Sequence, residues 1–276
     1  MNSKPLVSVI VPTKNSIKTV EICFQSIKNQ TYPRIEIIVV DNYSEDGTKE
    51  IARKYTEKIY DKGPERCTQR NFGAKQSKGE YLFFIDSDME LTLGVIKECV
   101  TTVLEKSSDV LVIPEISIGE GFWARCKALE RSCYIGDETM EAARFFKREI
   151  FFKVKGYDEN LIAAEDWDLS QRVKKAGFSF ARINSLIKHH EGRRSLIGTI
   201  RKKYTYGKTI NRYIEKHREE SKRQFILVRP AFLRNYKRLL KSPITTIGLI
   251  IMKICEFGAG AWGMIFNKCL SGIKAK

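Results

Sequence analysis

Residues 81–88 read YLFFIDSD, an apolar run that ends directly in Asp86 and Asp88, with Ser87 between them. Five consecutive apolar residues predict a strand buried on both faces, as in a parallel sheet. Such sheets bind their ligands at the carboxyl ends of the strands. Two carboxylates are costly to place there without a counter-ion, and their oxygens suit Mg²⁺ or Mn²⁺, which bridge a diphosphate. The stretch therefore predicts a metal or nucleotide site.

Similar apolar runs recur on both sides of this strand, at residues 6–11 (LVSVIV), 35–40 (IEIIVV) and 110–113. Helices are predicted between them at residues 49–55, 65–77 and 93–104, with a small strand near Ile59. A first helix is expected to begin with Ser16 as its N-cap and to place Ile17, Val20 and Phe24 on one face. This alternation predicts an α/β fold with a Rossmann-like, mostly parallel sheet flanked by helices.

The regular alternation weakens after Pro114. Residues 122–133 and 166–176 are predicted to be helical, and residues 144–147, 178–183 and 185–189 are predicted to be extended. No internal repeat or low-complexity linker interrupts this region.

Polar residues also follow the first two predicted strands. The first strand ends in Pro-Thr13-Lys-Asn15, and Asp41 directly follows the second. An aspartate at a strand end can accept hydrogen bonds from a base or a ribose, whereas Asp46 and Gly47 downstream have the chemistry of a turn. Because no G-x-G-x-x-G loop follows the first strand, the sequence argues against a dinucleotide-binding dehydrogenase.

The charge of the chain is concentrated in one region. The formal net charge is +16, and residues 193–241 hold 16 Lys or Arg against 3 Glu, which is +13 of that total. A basic surface attracts phosphate, whether on nucleic acid, anionic lipid or a phosphorylated lipid carrier. The seven cysteines are scattered without a C-x-x-C pair, which is typical of reduced thiols in a cytosolic protein. The N-terminal apolar run is too short for a secretory signal peptide.

The C-terminal part is predicted to be a separate region, residues 193–276, after a catalytic domain of residues 1–192. It begins with a basic amphipathic segment. Residues 244–266 then form an apolar stretch of 23 residues whose only charges are Lys253 and Glu256. Three interpretations stay open for this stretch: it spans a bilayer, it lies at the interface or forms a re-entrant hairpin, or it packs on the catalytic domain.

Four blocks of the sequence carry a family resemblance: VSVIVPTKN, IIVVDNYSEDGT, RNFGAKQSKGEYLFFIDSDME and GYDENLIAAEDWDLSQRVKKAG. In order and spacing, they resemble the inverting family-2 glycosyltransferases of the GT-A fold, of the membrane-associated bacterial or archaeal type. The resemblance covers roughly residues 6–190 and is more specific than any single motif. One departure is Asn42-Tyr43, where many members have Asp-Gly or Asn-Gly.

The resemblance also implies roles for individual residues. Nucleoside contacts are implied for Thr13, Asn15 and Asp41, and contacts near the base or phosphates for Arg70 and Asn71. Asp86 would face the ribose, with Ser87 beside it in the substrate site, and Asp88 would ligate Mn²⁺ or Mg²⁺. In the Glu165-Asp166 pair, Asp166 matches the general base, and Glu165 is either a substrate-site carboxylate or a favourable charge at a helix start. His189 matches the further metal ligand, with His190 as the alternative.

These roles imply sugar transfer from a nucleotide-diphosphate sugar to a hydroxyl or phosphate of a lipid-linked or cell-surface glycan acceptor. The block HHEGRRSL…RKKYTYGKT resembles the tails of members that act on lipid-linked acceptors. It favours a peripheral or monotopic location on the anionic cytoplasmic face of the cell membrane. The alternative is a nucleic-acid-binding module on an α/β scaffold. It leaves the aspartates without a purpose, so no nucleic-acid partner is expected. The sequence gives no prediction of the oligomeric state.

Overall fold

A computed structural model describes residues 4–274 of the chain, with side chains as far as Phe266. Its strands are β1 (Val7–Thr13), β2 (Ile35–Asp41), β3 (Ile59–Asp61), β4 (Tyr81–Phe84), β5 (Met89–Leu91), β6 (Val110–Val112), β7 (Glu115–Glu120), β8 (Ala143–Lys147), β9 (Phe180–Arg182) and β10 (Ile187–Arg193). Its helices are α1 (Val20–Lys28), α2 (Thr48–Arg53), α3 (Arg66–Gln76), α4 (Val95–Lys106), α5 (Phe122–Tyr134), α6 (Arg148–Lys153), α7 (Glu165–Lys175), α8 (Leu196–Thr209), α9 (Asn211–Lys216), α10 (Arg218–Gln224), α11 (Pro230–Arg234), α12 (Tyr236–Leu240) and α13 (Pro243–Lys274).

The chain divides into two compact units. The first unit holds the chain up to Glu115, together with Glu141–Asn160 and Glu165–His190. The second unit holds Ile116–Met140, Leu161–Ala164 and the chain from Glu191 onward. The second unit is therefore broader than residues 193–276, because it includes helix α5, which packs against α13.

The first unit is built on a seven-stranded sheet in the order β3-β2-β1-β4-β8-β6-β9. Strand β1 pairs in parallel with both β2 and β4, and β2 pairs in parallel with β3. Strand β6 pairs in parallel with β9. Only β8 runs antiparallel, between β4 and β6. This mostly parallel sheet with helices around it confirms the predicted fold class. Strand β1 lies between β2 and β4, so their carboxyl ends meet at one edge.

Both faces of the sheet are covered by helices, as the continuous apolar runs predict. Alternate residues of β1 point to opposite faces: Val9 packs in a core with residues of α1 and α4, and Ile10 in a core with residues of α3, α6 and α7. Helix α3 lies especially close, because a Cβ atom at Gly73 would come 2.6 Å from Ile10 Cγ2 and 3.1 Å from Val40 Cγ2. The absence of a side chain at Gly73 therefore sets the distance between α3 and the sheet.

The predicted start of the first helix was wrong, and three short elements were missed. Helix α1 begins at Val20, and Ser16 instead closes a turn, with its carbonyl accepting from the amides of Thr19 and Val20 at 3.0 and 2.9 Å. Ile17 is consequently 44% exposed instead of facing the core. Strands β5 and β7 and helix α6 were not predicted, because short elements carry too few residues to show a period. Helix α13 is continuous, which excludes a re-entrant hairpin within Pro243–Lys274.

Candidate active site

The ends of β1 and β2 are joined through Asp41. Register pairs Thr13 with Asp41, and the Thr13 hydroxyl donates to Asp41 Oδ2 at 2.6 Å. Asp41 is fully buried and also accepts from the amide and the hydroxyl of Ser44, at 2.6 and 2.7 Å. A buried carboxylate with three donors is well satisfied. Asp41 therefore fixes the two loops that follow these strands.

Asn15 lies in the first of these loops in a left-handed conformation with φ of 45°. Its side-chain oxygen accepts from the amide of Glu45 at 3.1 Å, and its own amide donates to the Ser44 hydroxyl at 2.8 Å. Asparagine tolerates this region of φ better than most residues because its short polar side chain bonds locally. The predicted nucleoside contacts Thr13, Asn15 and Asp41 thus occur in one hydrogen-bonded group.

The centre of the site is the guanidinium of Arg70, which is fully buried. Its Nη2 lies 2.5 Å from Asp86 Oδ1, and its Nη1 lies 3.1 Å from Asp166 Oδ1 and 3.4 Å from Glu165 Oε1. The guanidinium carbon also lies 5.0 Å from the ring centroid of Tyr157. One cation therefore joins the carboxylate of Asp86, which follows β4, to the two carboxylates that open α7.

Helix α3 carries Arg70 to this position. The preceding residue, Gln69, is buried and donates through its amide to the carbonyls of Thr13 and Val40, at 2.9 and 2.6 Å. These bonds anchor α3 to the ends of β1 and β2. The neighbouring Asn71 is engaged elsewhere, since its amide donates to the Tyr157 carbonyl and its side-chain oxygen accepts from the Tyr157 amide, both at 2.9 Å.

A second arginine in the site was not predicted from the sequence. Arg144, in β8, lies 3.7 Å from Asp86 Oδ2 and forms an ion pair with Glu115. Burial alone would raise the pKa of the Asp86 carboxyl, but the positive charges of Arg70, Arg144 and Arg66 outweigh it and hold that pKa well below its usual range. The signal for Arg144 was an arginine directly preceding the apolar pair Phe-Phe in a predicted strand.

Glu165 and Asp166 open helix α7 but differ in environment. Glu165 is buried and pairs with Arg66 at 2.9 Å. Burial, followed by the negative charge of Asp166, raises the pKa of Glu165 above its usual value. The Asp166 side chain keeps 25% of its surface exposed, so it is the member of the pair that solvent and a substrate can reach.

His189 and His190 are neighbours in β10, which pairs with β5, and they point to opposite faces of the strand. The two strands pair antiparallel with His189 opposite Met89, and successive residues of a strand point to opposite faces. His189 Nε2 lies 3.1 Å from Asp88 Oδ2, whereas His190 Nε2 lies 2.8 Å from Glu90 Oε2. The structure therefore brings His189, and not His190, to the carboxylate of Asp88.

The Asp88–His189 pair fits a divalent cation that also binds phosphate. Within the described residues, no cluster of three His, Cys, Asp or Glu side chains has the geometry of a complete metal site. Mg²⁺ and similar ions commonly use one or two protein ligands and complete their shell with substrate phosphates and water. A carboxylate and an imidazole 3.1 Å apart supply such a partial set. Ser87, between the two aspartates, donates to the Ser16 hydroxyl at 2.8 Å.

Comparison with known proteins identifies the family. Residues 8–157 match the sequence profile described as "Glycosyl transferase family 2". The chain belongs to glycosyl transferase family 2. This family-2 chain is an enzyme, a glycosyltransferase, and its mostly parallel sheet is that of the GT-A fold.

Relatives of this family-2 chain include glycosyltransferase AglE of Haloferax volcanii, 28% identical over 206 residues that cover 68% of each chain. Another is the GalNAc(5)-diNAcBac-PP-undecaprenol beta-1,3-glucosyltransferase of Campylobacter jejuni, 33% identical over 51% of this chain and 49% of that protein. Among solved structures, the mannosyltransferase PcManGT of Pyrobaculum calidifontis, in complex with GDP-Man and Mn²⁺, is similar with a TM-score of 0.67 and 16% identity, covering 95% of this chain and 88% of that one. At this identity, the last likeness concerns the fold alone.

Proposed function

We propose that this glycosyltransferase transfers a sugar, with inversion, from a nucleotide-diphosphate sugar to a hydroxyl or phosphate of a lipid-linked or cell-surface glycan. The observation that carries the proposal is the guanidinium of Arg70, which holds Asp86 and Asp166 from separate parts of the chain on one buried cation. A leaving-group site and a base on opposite sides of one sugar are what a single displacement requires.

On the donor side, Asn15 would hold the nucleoside in the loops that Thr13 and Asp41 fix, and Asp86 with Ser87 would face the ribose. The diphosphate of the donor would lie near Arg70 and Arg144, two buried guanidinium groups at this end of the sheet. Positive charge in a buried site stabilises the negative charge that builds up on the leaving diphosphate.

Asp88 and His189 would be the protein ligands of the metal ion, Mn²⁺ or Mg²⁺. When bound, the cation neutralises charge on the departing diphosphate. The Asp88–His189 distance of 3.1 Å supports these two ligands. The choice of ion is supported by the Mn²⁺ in the complex of PcManGT, a protein of the same fold.

On the acceptor side, Asp166 would take the proton from the acceptor hydroxyl as its oxygen attacks the anomeric carbon. The bond from that carbon to the diphosphate breaks in the same step, so the configuration inverts. Glu165 has a different role, because its carboxylate is buried against Arg66 and does not reach the solvent-accessible side. It would hold the start of α7, and with it Asp166, in place.

The acceptor is proposed to be lipid-linked, and the enzyme to act at the cytoplasmic face of the membrane as a peripheral or monotopic protein. Two observations support this. The name of the Campylobacter relative specifies an acceptor linked to undecaprenol through a diphosphate. Residues 193–241 carry a net charge of +13, which favours an anionic surface.

Calorimetric titration of the purified full-length chain with UDP- and GDP-sugars, with and without Mn²⁺, tests the proposal. We expect one nucleotide class to bind, and Mn²⁺ to strengthen its binding. Asp88→Asn should remove the metal-dependent part of the affinity, while Glu105→Gln, an exposed carboxylate near the end of helix α4, should leave it unchanged. If neither nucleotide class binds with or without metal, the proposed donor is wrong.

A further inference from the structure

Helix α13 reverses the usual distribution of polar and apolar residues in a soluble protein. Between Pro243 and Phe266, its two charged residues, Lys253 and Glu256, are 5% and 4% exposed. Every exposed residue in that range is apolar, and the exposed positions recur at helical spacing. The large ones form what we name the apolar stripe: Ile244, Ile247, Ile250, Ile251, Ile254, Trp262, Ile265 and Phe266.

The charged face of α13 is fixed by ion pairs within the second unit. Lys253 Nζ lies 2.8 Å from Glu130 Oε1 of α5 and 2.6 Å from Glu256 Oε2. Glu130 also pairs with Lys127 at 2.7 Å and accepts from the hydroxyl of Tyr134 at 2.7 Å. Breaking a buried pair leaves an uncompensated charge, which is strongly destabilising. Helix α13 therefore cannot rotate to bury its apolar stripe without exposing these pairs.

Another side of α13 is closed by helix α8. A Cβ atom at Gly207 would lie 2.2 Å from the carbonyl oxygen of Gly260, and one at Gly263 would lie 2.3 Å from that of Tyr204. Glycines at these positions allow the two backbones to approach closely. Leu249 and Met252 complete the packed side, in a cluster with residues of α5. The apolar stripe is the face of α13 that these contacts leave open.

The residues next to the apolar stripe indicate what covers it. Just before α13, Lys237, Arg238 and Lys241 are exposed. Trp262, on the stripe, is 65% exposed, and tryptophan favours the boundary between lipid headgroups and acyl chains. Cations bordering a stripe of exposed isoleucines match the headgroups and acyl chains of an anionic lipid surface. A second copy of this basic chain would bring like charges together.

We propose that α13 lies in the plane of an anionic membrane surface, with the apolar stripe in the acyl region, and does not cross the bilayer. The inference deepens the proposed membrane location and rests on it. A crossing α13 would carry α5 and α8, packed along it, into the hydrocarbon. Those helices hold the exposed cations Arg125, Arg201 and Lys202, which are costly there. An in-plane helix keeps these cations in water.

Flotation of the full-length chain with vesicles tests whether the apolar stripe binds a membrane surface. We expect binding to equimolar phosphatidylcholine and phosphatidylglycerol, and weaker binding to phosphatidylcholine alone. The double variant Ile250→Glu, Ile254→Glu should lose flotation. The matched control Leu93→Glu, Leu104→Glu changes two exposed leucines of the first unit and should float like the original chain. Circular dichroism verifies that both variants are folded.

Fluorescence depth measurements distinguish an α13 that lies in the membrane plane from one that crosses the bilayer. Trp262 is compared with tryptophans introduced by Ile247→Trp and Ile254→Trp in a Trp262→Phe background, using lipids brominated at shallow or deep acyl positions. Trp262→Phe alone gives the signal of Trp123 and Trp167 to subtract. An in-plane helix predicts the same depth at all three positions, whereas a crossing helix predicts depths that change along the chain.

Three results would overturn the inference: depths that change along α13, equal flotation of the stripe variant and its control, or a stripe-dependent dimer in sedimentation without vesicle binding. Nucleotide-sugar titration of the stripe variant separates this inference from the proposed reaction. If the stripe variant still binds nucleotide but no longer floats with vesicles, the proposed membrane-binding role of the apolar stripe is supported. Lost nucleotide binding in the original chain contradicts the proposed donor and leaves the flotation result intact.

Discussion

The guanidinium of Arg70 binds Asp86 through Nη2 and lies 3.1 Å from Asp166 through Nη1. The first carboxylate belongs to the donor side of the proposed reaction and the second to the acceptor side. A single buried side chain thus sets the distance between the two halves of the site. This relationship assigns Arg70 a positioning role in addition to the contact near the base or phosphates that the family resemblance implies.

Arg70→Met should therefore lower donor affinity, because a cation near the diphosphate is lost, and should reduce kcat further, because Asp86 and Asp166 lose their shared partner. It also leaves three carboxylates without their shared cation, a loss of about 3–5 kcal/mol for a buried pair, so the unfolding temperature should fall. Arg70→Lys keeps the charge but lacks the planar guanidinium that bonds to two carboxylates at once. Compared with Arg70→Met, it should restore thermal stability more than turnover. Turnover, donor affinity by calorimetry and thermal unfolding are the measurements. A change in donor affinity alone would contradict the positioning role.

Asp166→Asn should abolish transfer while donor binding stays unchanged, because asparagine keeps the shape but cannot accept the proton. The expected loss in kcat is about 10²–10⁴-fold, the usual contribution of a general base. Glu165→Gln is the informative comparison, since Glu165 is buried against Arg66 and should affect stability more than chemistry. Release of labelled nucleotide in the presence of acceptor measures turnover. Retained turnover in Asp166→Asn would remove it from the mechanism.

The two histidines form a matched pair for the metal. His189→Ala should weaken Mn²⁺-dependent nucleotide binding, because it removes the imidazole 3.1 Å from Asp88. His190→Ala breaks only the contact with Glu90 and should leave metal dependence intact. Calorimetric titration with and without Mn²⁺ decides between them. Loss of metal dependence in His190→Ala alone would reverse the assignment.

Stability should fall in acid as the partly buried Asp86 and the buried Glu130 take up protons. Asp86 and Glu130 have pKa values below their usual range, since burial raises each pKa but neighbouring cations outweigh it. For Glu130 those cations are Lys127, Lys253 and Arg229. A lowered folded-state pKa contributes stability above the unfolded value of about 4, and this contribution is lost as the pH falls below it.

Thermal unfolding from neutral pH to pH 3 should therefore show a declining midpoint, and Asp86→Asn should flatten that decline while lowering stability at neutral pH. Asp61→Asn, an exposed partner of Lys49, should do neither. A pH profile identical in Asp86→Asn and the original chain would contradict the account.

The sequence predicts well what depends on neighbours along the chain. The buried strands, the helices between them and the carboxylates at the strand ends follow from local patterns of apolar and polar residues. What it misses depends on distant partners. Arg144 lies in a strand that inserts antiparallel between β4 and β6, and nothing local indicates that insertion. Likewise, Lys253 looks like an isolated charge in an apolar stretch until Glu130 is found beside it.

Some site residues can be placed only in three dimensions. The family resemblance implies contacts near the base or phosphates for Arg70 and Asn71, whereas in the structure the Asn71 side chain bonds to the backbone of Tyr157. The choice between His189 and His190 depends on which face of β10 each residue occupies, and a one-residue shift of register would exchange them.

The close packing of α3 on the sheet makes the position of Arg70 sensitive to the size of residue 73. Gly73 is one helical turn beyond Arg70, and an added methyl group would meet Ile10 and Val40 at once. Even alanine at this position would lift the helix and displace the guanidinium from carboxylates that it meets at hydrogen-bonding distance. A random mutagenesis screen for inactive enzyme should therefore recover substitutions of Gly73, which contacts no substrate, alongside those of the acidic residues themselves.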